Sequence, residues 1–162
     1  MAAPPTTPPG RPDVIAALAR SPLLEGFTET GIQILASVAQ PKSIPAGAPL
    51  FVEQMIGDSL YIIAEGRIAL SMRTSSGQER VLTRLEAPAS LGEAALLRQG
   101  PRKCSAKAEV DTRVLEISRR DVVALQRSKP QACLKLMMKV VDLVGERLRA
   151  ADDDLRAVLD ER

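Results

Sequence analysis

The chain has 162 residues, room for one domain of ordinary size plus short extensions, so a multidomain machine is excluded. Apolar residues make up 45% and charged residues 26%, and 22 Lys+Arg against 20 Asp+Glu leave a formal charge of only +2, too little for a strong field that would draw in nucleic acid. Histidine is absent, which excludes Ser-His-Asp, Cys-His and His-metal chemistry together and argues against an enzyme.

Five of the first twelve residues are Pro, so residues 1–12 are expected to form an extended or disordered arm. A folded unit over residues 13–130 follows, then a separate C-terminal helix over residues 131–162. Val14, Ile15 and Leu18 have helical spacing within Asp13–Arg20, and Pro22 stops that run. Thr28 caps a second short helix carrying Ile32, Leu35, Ala36 and Ala39, ended by Pro41.

Between Ile44 and Ile117 the period changes to two. Ile68, Leu70 and Met72 form one alternating run, Val81, Thr83 and Leu85 another, and Cys104, Ala106, Ala108 and Val110 a third. Turn residues at Gly47, Gly57-Asp58, Gly66 and Ser75-Ser76-Gly77 separate them. Short strands at this spacing predict an antiparallel sandwich or small barrel.

Within Leu91–Ala106 lies the chemistry. A strand is expected to arrive at Leu91, Gly92 lets the backbone turn close to a ligand, and Glu93 to about Leu97 form one helical turn with unpaired amides at its start. Pro101 fixes the backbone before Arg102, whose guanidinium can reach back over the turn to a phosphate. Glu93 is only an acceptor, so its natural partner is a hydroxyl, as on a ribose. These parts describe a site for a compact, singly charged phosphate joined to a sugar.

After the strands, Ser118 and Asp121 form a capping pair for a helix to about Ser128, before Pro130. In the last segment Leu134, Met137, Val141, Val144, Leu148, Ala151, Leu155 and Val158 alternate steps of three and four. That pattern predicts a parallel coiled coil and a homodimer, with Arg147 facing Asp152 of the second copy. A second row, Leu136, Val140 and Leu143, serves to pack the helix on its own domain.

The stretch Gly92-Glu93-Ala94-Ala95-Leu96-Leu97, with Pro101-Arg102 beginning nine residues after Gly92 and then Ser105, resembles the phosphate-binding cassette of the cyclic nucleotide-binding domain family. The resemblance extends over about Leu23 to Arg149 and includes Ile44-Pro-Ala-Gly47, Gly57-Asp58-Ser59-Leu60-Tyr61-Ile62-Ile63 and Gly66-Arg67-Ile68. It implies an α+β fold, an antiparallel, jelly-roll-like β-roll flanked by N-terminal helices and a long C-terminal helix. It also implies that Arg102 pairs with the cyclic phosphate, that Glu93 accepts from the ribose 2′-hydroxyl, and that Gly92, Ala94 and Ala95 present backbone to cyclic AMP or cyclic GMP. Lys103, Cys104 and Ser105 complete the candidate ligand set. Lys103 stands where the family often has Thr or Ser when guanine is preferred, which favours cyclic AMP. Met137, Met138, Val141 and Leu143 are the candidates to lid the base, and Arg147 is a candidate polar contact. Gln54 replaces a usual Gly, and Pro88-Ala89 a usual Gly-Asp.

The expected function is a regulatory module in which nucleotide binding repositions the C-terminal helix or a partner protein, whose identity stays open; no cofactor is expected. The alternative is an adaptor acting through protein contacts alone, its pocket degenerate and filled by an internal Arg102–Glu93 salt bridge. Many bacterial relatives continue into a DNA-reading helix-turn-helix. Here Asp142–Arg162 holds seven acidic against four basic residues, so DNA binding by this chain alone is not expected. Cys104 and Cys133 match no zinc or redox spacing and read as free thiols. No apolar run approaches the ~18 residues of a membrane span, and no secretory pattern opens the chain. A cytoplasmic protein without membrane contact is expected.

Overall fold

Alternation of apolar and polar residues sends successive side chains to opposite faces of a strand, and here it builds two facing sheets. The structure, a computed structural model, describes residues 11–160. Helix α1 (Arg11–Arg20), a 3₁₀ turn (Pro22–Leu24) and α2 (Glu29–Ala36) precede ten strands. The strands are β1 (Gln40–Ile44), β2 (Pro49–Phe51), β3 (Ile56–Gly57), β4 (Ser59–Glu65), β5 (Arg67–Arg73), β6 (Glu79–Glu86), β7 (Ser90–Leu91), β8 (Gly100–Pro101), β9 (Ser105–Ala108) and β10 (Thr112–Ser118). Helix α3 (Ala94–Leu97) lies between β7 and β8, and α4 (Arg119–Ser128) and α5 (Pro130–Asp160) close the chain.

All pairings are antiparallel. One sheet runs β1-β10-β4-β7, the other β2-β9-β5-β6, and β3 pairs with β8. The α+β roll that the resemblance implied is therefore the observed fold. Strand β4 is buried through Ile63 because one face meets the helices and the other the roll interior. Leu60 and Ile62 join the helical core with Leu18, Leu35, Leu115, Ile117, Leu136 and Val140. Tyr61 and Ile63 face Phe51, Ile68, Leu91, Ala106 and Val114 inside the roll. The two rows of one strand thus tie the cassette side to the helical side.

Several expectations shift. Arg11 and Pro12 already belong to α1, where Pro is tolerated because a first-turn N–H has no helical partner; the rest of the expected arm lies outside the described residues. Strand β6 is exposed along nearly its whole length, since it is the sheet edge and nothing covers it, so Val81 and Thr83 are not core. At α4 the Ser118 hydroxyl accepts from the Asp121 amide as expected, but the Asp121 carboxylate takes the Ser118 hydroxyl proton at 2.6 Å rather than a backbone amide.

Leu136 and Val140 are fully buried and Leu143 partly so, as the second row of α5 requires. Along the predicted seam, Leu134, Val141, Leu148, Leu155 and Val158 are exposed, whereas Met137 and Val144 pack on the chain's own core. Met138 beside Met137 is exposed, and Leu159 is exposed together with Val158. The free stripe thus lacks Met137 and Val144, because the helix must satisfy its own domain first.

Candidate functional site

Gly57 and Gly92 create the space in which one charged side chain is held. A Cβ on Gly57 would lie 2.1 Å from Arg102 Nε, and one on Gly92, whose φ is +79°, would lie 2.6 Å from Arg102 Nη1 and 2.9 Å from the Ser59 carbonyl. Only glycine lets two turns close on the guanidinium from both sides. The Arg102 backbone is fixed as well. Its N–H donates to Met55 O at 2.7 Å, and its carbonyl accepts from Gln54 N at 2.8 Å. Gln54 itself has φ +72°, the left-handed conformation that explains the Gly usual at this position.

Arg102 is only 8% exposed. Nη2 donates to Ser59 O at 2.9 Å and Nη1 reaches Gly92 O at 3.5 Å. The guanidinium carbon lies 4.3 Å from the centre of the Phe51 ring and 5.7 Å from that of Tyr61. Aromatic faces attract a cation but supply no counter-charge. Nε is buried with no partner, and none of the ion pairs among the described residues involves Arg102. A buried charge in this state is costly unless something anionic completes it.

The guanidinium borders a cavity of about 690 Å³ lined by Gly92, Glu93, Ala94, Ala95, Lys103 and Cys104 among others, within the roughly 300–1,000 Å³ usual for small-molecule sites. In this cassette turn, Ala95 N donates to Gly92 O at 3.1 Å and Leu96 N to Glu93 O at 3.0 Å. The free amides are therefore those of Glu93 and Ala94. Ala95 lines the cavity with its N–H already used. Burial pushes the Cys104 thiol above its ordinary value, against an opposing pull from Arg102, so it stays protonated at neutral pH.

Glu93, 3% exposed, does not pair with Arg102. Its Oε1 accepts from the Ser90 hydroxyl at 3.1 Å, and Arg147 of α5 donates to its Oε2 at 2.5 Å and to Ser90 O at 2.7 Å. This corrects two readings. The internal Arg102–Glu93 bridge of the adaptor alternative is not formed, and Arg147 is committed to its own cassette rather than to Asp152 of a second copy. Asp152 instead accepts from Arg156 one turn on, at 2.9 Å. Ser105 is a third correction. Its Oγ accepts from Glu53 N at 2.9 Å, and it lines a different hollow beside Ser71 and Glu79, because strand alternation points it away from the cassette cavity.

Phe51, Tyr61, Ser59 and Ser90 also belong to the site; Ser59 and Tyr61 lie in the stretch that carried the resemblance, whereas Phe51 and Ser90 were not singled out in the sequence. Among the described residues no cluster of metal-ligating side chains occurs, and no helix is long and apolar enough to cross a membrane. Cys104 and Cys133 are free thiols.

A β-roll whose cassette sets a buried guanidinium without a carboxylate partner, a buried carboxylate and a glycine turn around one cavity has the charge and the free amides that a small anion needs. Residues 41–129 match the model of the cyclic nucleotide-binding domain, and the chain belongs to this family. It is 36% identical over 135 residues to the cyclic AMP receptor protein of Thermus thermophilus, covering 83% of this chain and 61% of that protein. It is 28% identical over 138 residues to a CRP-like cAMP-activated global transcriptional regulator of Mycobacterium tuberculosis, covering 85% of this chain and 60% of the relative. The chain thus spans about three-fifths of the length of these curated relatives. Among solved structures, the Thermus thermophilus catabolite activator protein superposes with a TM-score of 0.77 at 34% identity, covering 85% of this chain and 63% of the other. The regulatory domain of Toxoplasma gondii PKA with cAMP superposes at 0.63 and 26% identity, covering 70% and 43%.

Proposed function

We propose that this chain is a receptor module for a purine cyclic nucleotide, with cyclic AMP favoured over cyclic GMP. In this reading the cyclic phosphate sits on the Arg102 guanidinium and the free amides of Glu93 and Ala94, and the ribose 2′-hydroxyl donates to Glu93. The observation that carries it is the buried Arg102, without a carboxylate partner, lining the cassette cavity. A phosphodiester monoanion supplies the missing charge and accepts from a planar fork. Lys103 in place of Thr or Ser, and relatives described as a cyclic AMP receptor protein and a cAMP-activated regulator, support the adenine preference.

Output runs through α5. Arg147 holds the same carboxylate that the ribose would use, so ligand occupancy and the position of α5 make competing claims on one group, and that differential contact shifts the population of helix positions. The exposed stripe Leu134, Met138, Val141, Leu148, Leu155 and Leu159 fits a second copy packed in parallel, the assembly state serving an effector protein. The free thiols suit a reducing, cytoplasmic setting. DNA contact by residues 142–162 remains disfavoured by their acidic balance.

Calorimetry with cyclic AMP and cyclic GMP tests the ligand, and mass spectrometry of nucleotide released on denaturation identifies it. Saturable binding of cyclic AMP at lower concentration than cyclic GMP is expected. Absence of heat and of any melting shift with either nucleotide overturns the receptor reading in favour of an adaptor.

A further inference from the structure

We infer that Ser90 is a positioning residue for ribose recognition, fixing the Glu93 carboxylate to the β-roll so that it does not follow α5. The inference rests on the reading of Glu93 as the acceptor for the 2′-hydroxyl. Ser90 does not line the cavity. It is 7% exposed, paired with Ile62 of β4, and its preceding residue accepts from Ile63 N at 2.9 Å, so its backbone is held from both neighbours. From that rigid strand its hydroxyl donates to Glu93 Oε1, while its carbonyl accepts from Arg147.

A glutamate side chain has three rotatable bonds, and a hydrogen bond to a ribose hydroxyl needs one oxygen at a defined place. Two donors fix that place here. Arg147 sits on a helix that continues for three turns without buried residues, whereas Ser90 sits on β7, buried and paired with β4. Without the Ser90 hydroxyl, Arg147 is the one remaining side-chain donor to the carboxylate, and Glu93 would track every excursion of α5. With it, Oε1 keeps its place whether or not Arg147 is engaged. One short residue therefore keeps the carboxylate in place for the sugar when Arg147 gives it up.

The test compares cyclic AMP with 2′-deoxy cyclic AMP on the full chain, in wild type, Ser90→Ala and Ser90→Thr, by competition binding. Wild type is expected to prefer the ribonucleotide. Ser90→Ala is expected to lose about tenfold of that preference, the scale of one hydrogen bond to a charged group, and Ser90→Thr, which keeps the hydroxyl, to restore it. Should Ser90→Ala not give a cooperative melt, Ser90→Cys, of similar size with a much weaker donor, carries the same comparison. If wild type binds both nucleotides equally, the ribose reading fails and this inference with it. If wild type discriminates but the Ala or Cys variant discriminates as strongly, or weakens both nucleotides in proportion, Ser90 is merely structural and the inference alone is overturned.

Discussion

Replacing Arg102 by Ala is the sharpest perturbation of this site. The fork can offer a phosphate two charge-assisted hydrogen bonds of about 1.5–3 kcal/mol each, so about 3–6 kcal/mol of binding is at stake, or roughly 10²–10⁴-fold in affinity at about 1.4 kcal/mol per tenfold. Folding stability is expected to change far less. Loss of the cation strips about 0.5–2 kcal/mol per aromatic contact from Phe51 and Tyr61, but it also relieves a buried charge that has no carboxylate partner. Calorimetry and thermal melts with and without cyclic AMP read both quantities. At 100 times its dissociation constant the ligand adds about 2.7 kcal/mol to wild type, or about 5–11 °C at about 2–4 °C per kcal/mol. The same concentration should leave Arg102→Ala almost unshifted, with Arg102→Lys, which keeps the charge and loses the fork, in between. An Ala variant that binds within about threefold of wild type refutes the assignment of Arg102 to the phosphate.

Gly57→Ala drives a methyl group into the guanidinium, so calorimetry should show binding weakened at least tenfold while the unliganded melt stays cooperative; unchanged affinity would mean that Arg102 is not held as described. Gln54→Gly removes a left-handed penalty of about 1 kcal/mol, and a higher denaturant midpoint is its expected signature. Glu109 accepts from Arg84 Nε at 2.8 Å and Arg67 Nε at 2.7 Å, and these contacts, with the Arg84 bond foremost, lower its carboxyl below the ordinary 4.5. The unfolded chain therefore takes up this proton first on acidification, so the stabilisation from Glu109 is present above about pH 4.5 and fades as pH falls through the lower folded value. Melting temperatures from pH 7 to pH 3 should fall less steeply for Glu109→Gln. Leu148→Asp and Leu155→Asp should lower the mass seen by light scattering from dimer to monomer without reducing helix content, and an unchanged mass argues against the self-pairing of α5.

The cassette was readable because it is local. Gly92, Glu93 and the Arg102 that follows ten residues later act within one turn and one strand, so their spacing is set by chain geometry and survives in a string of letters. Ser118 as a cap and Leu136 and Val140 as the buried row of α5 were legible for the same reason: a cap and a 3.6-residue period are properties of consecutive residues. The strand Val81–Leu85 was legible as a strand, but its exposure was not, because alternation specifies a face and not what covers it. The seam of α5 was only partly legible because two stripes on one helix compete, and the domain's own core claimed Met137 and Val144.

The letters alone therefore determined the alternation of helices and strands, the glycine turns and the placing of Glu93 and Arg102 on either side of one turn, since each depends on neighbours a few positions apart. Only the folded chain decided who partners whom. Phe51, Ser59 and Arg147 come from β2, β4 and α5, and whether a buried carboxylate meets Arg102 or Arg147 depends on distances across the roll. Those distances follow from the packing of whole elements against a common core, which no local period encodes.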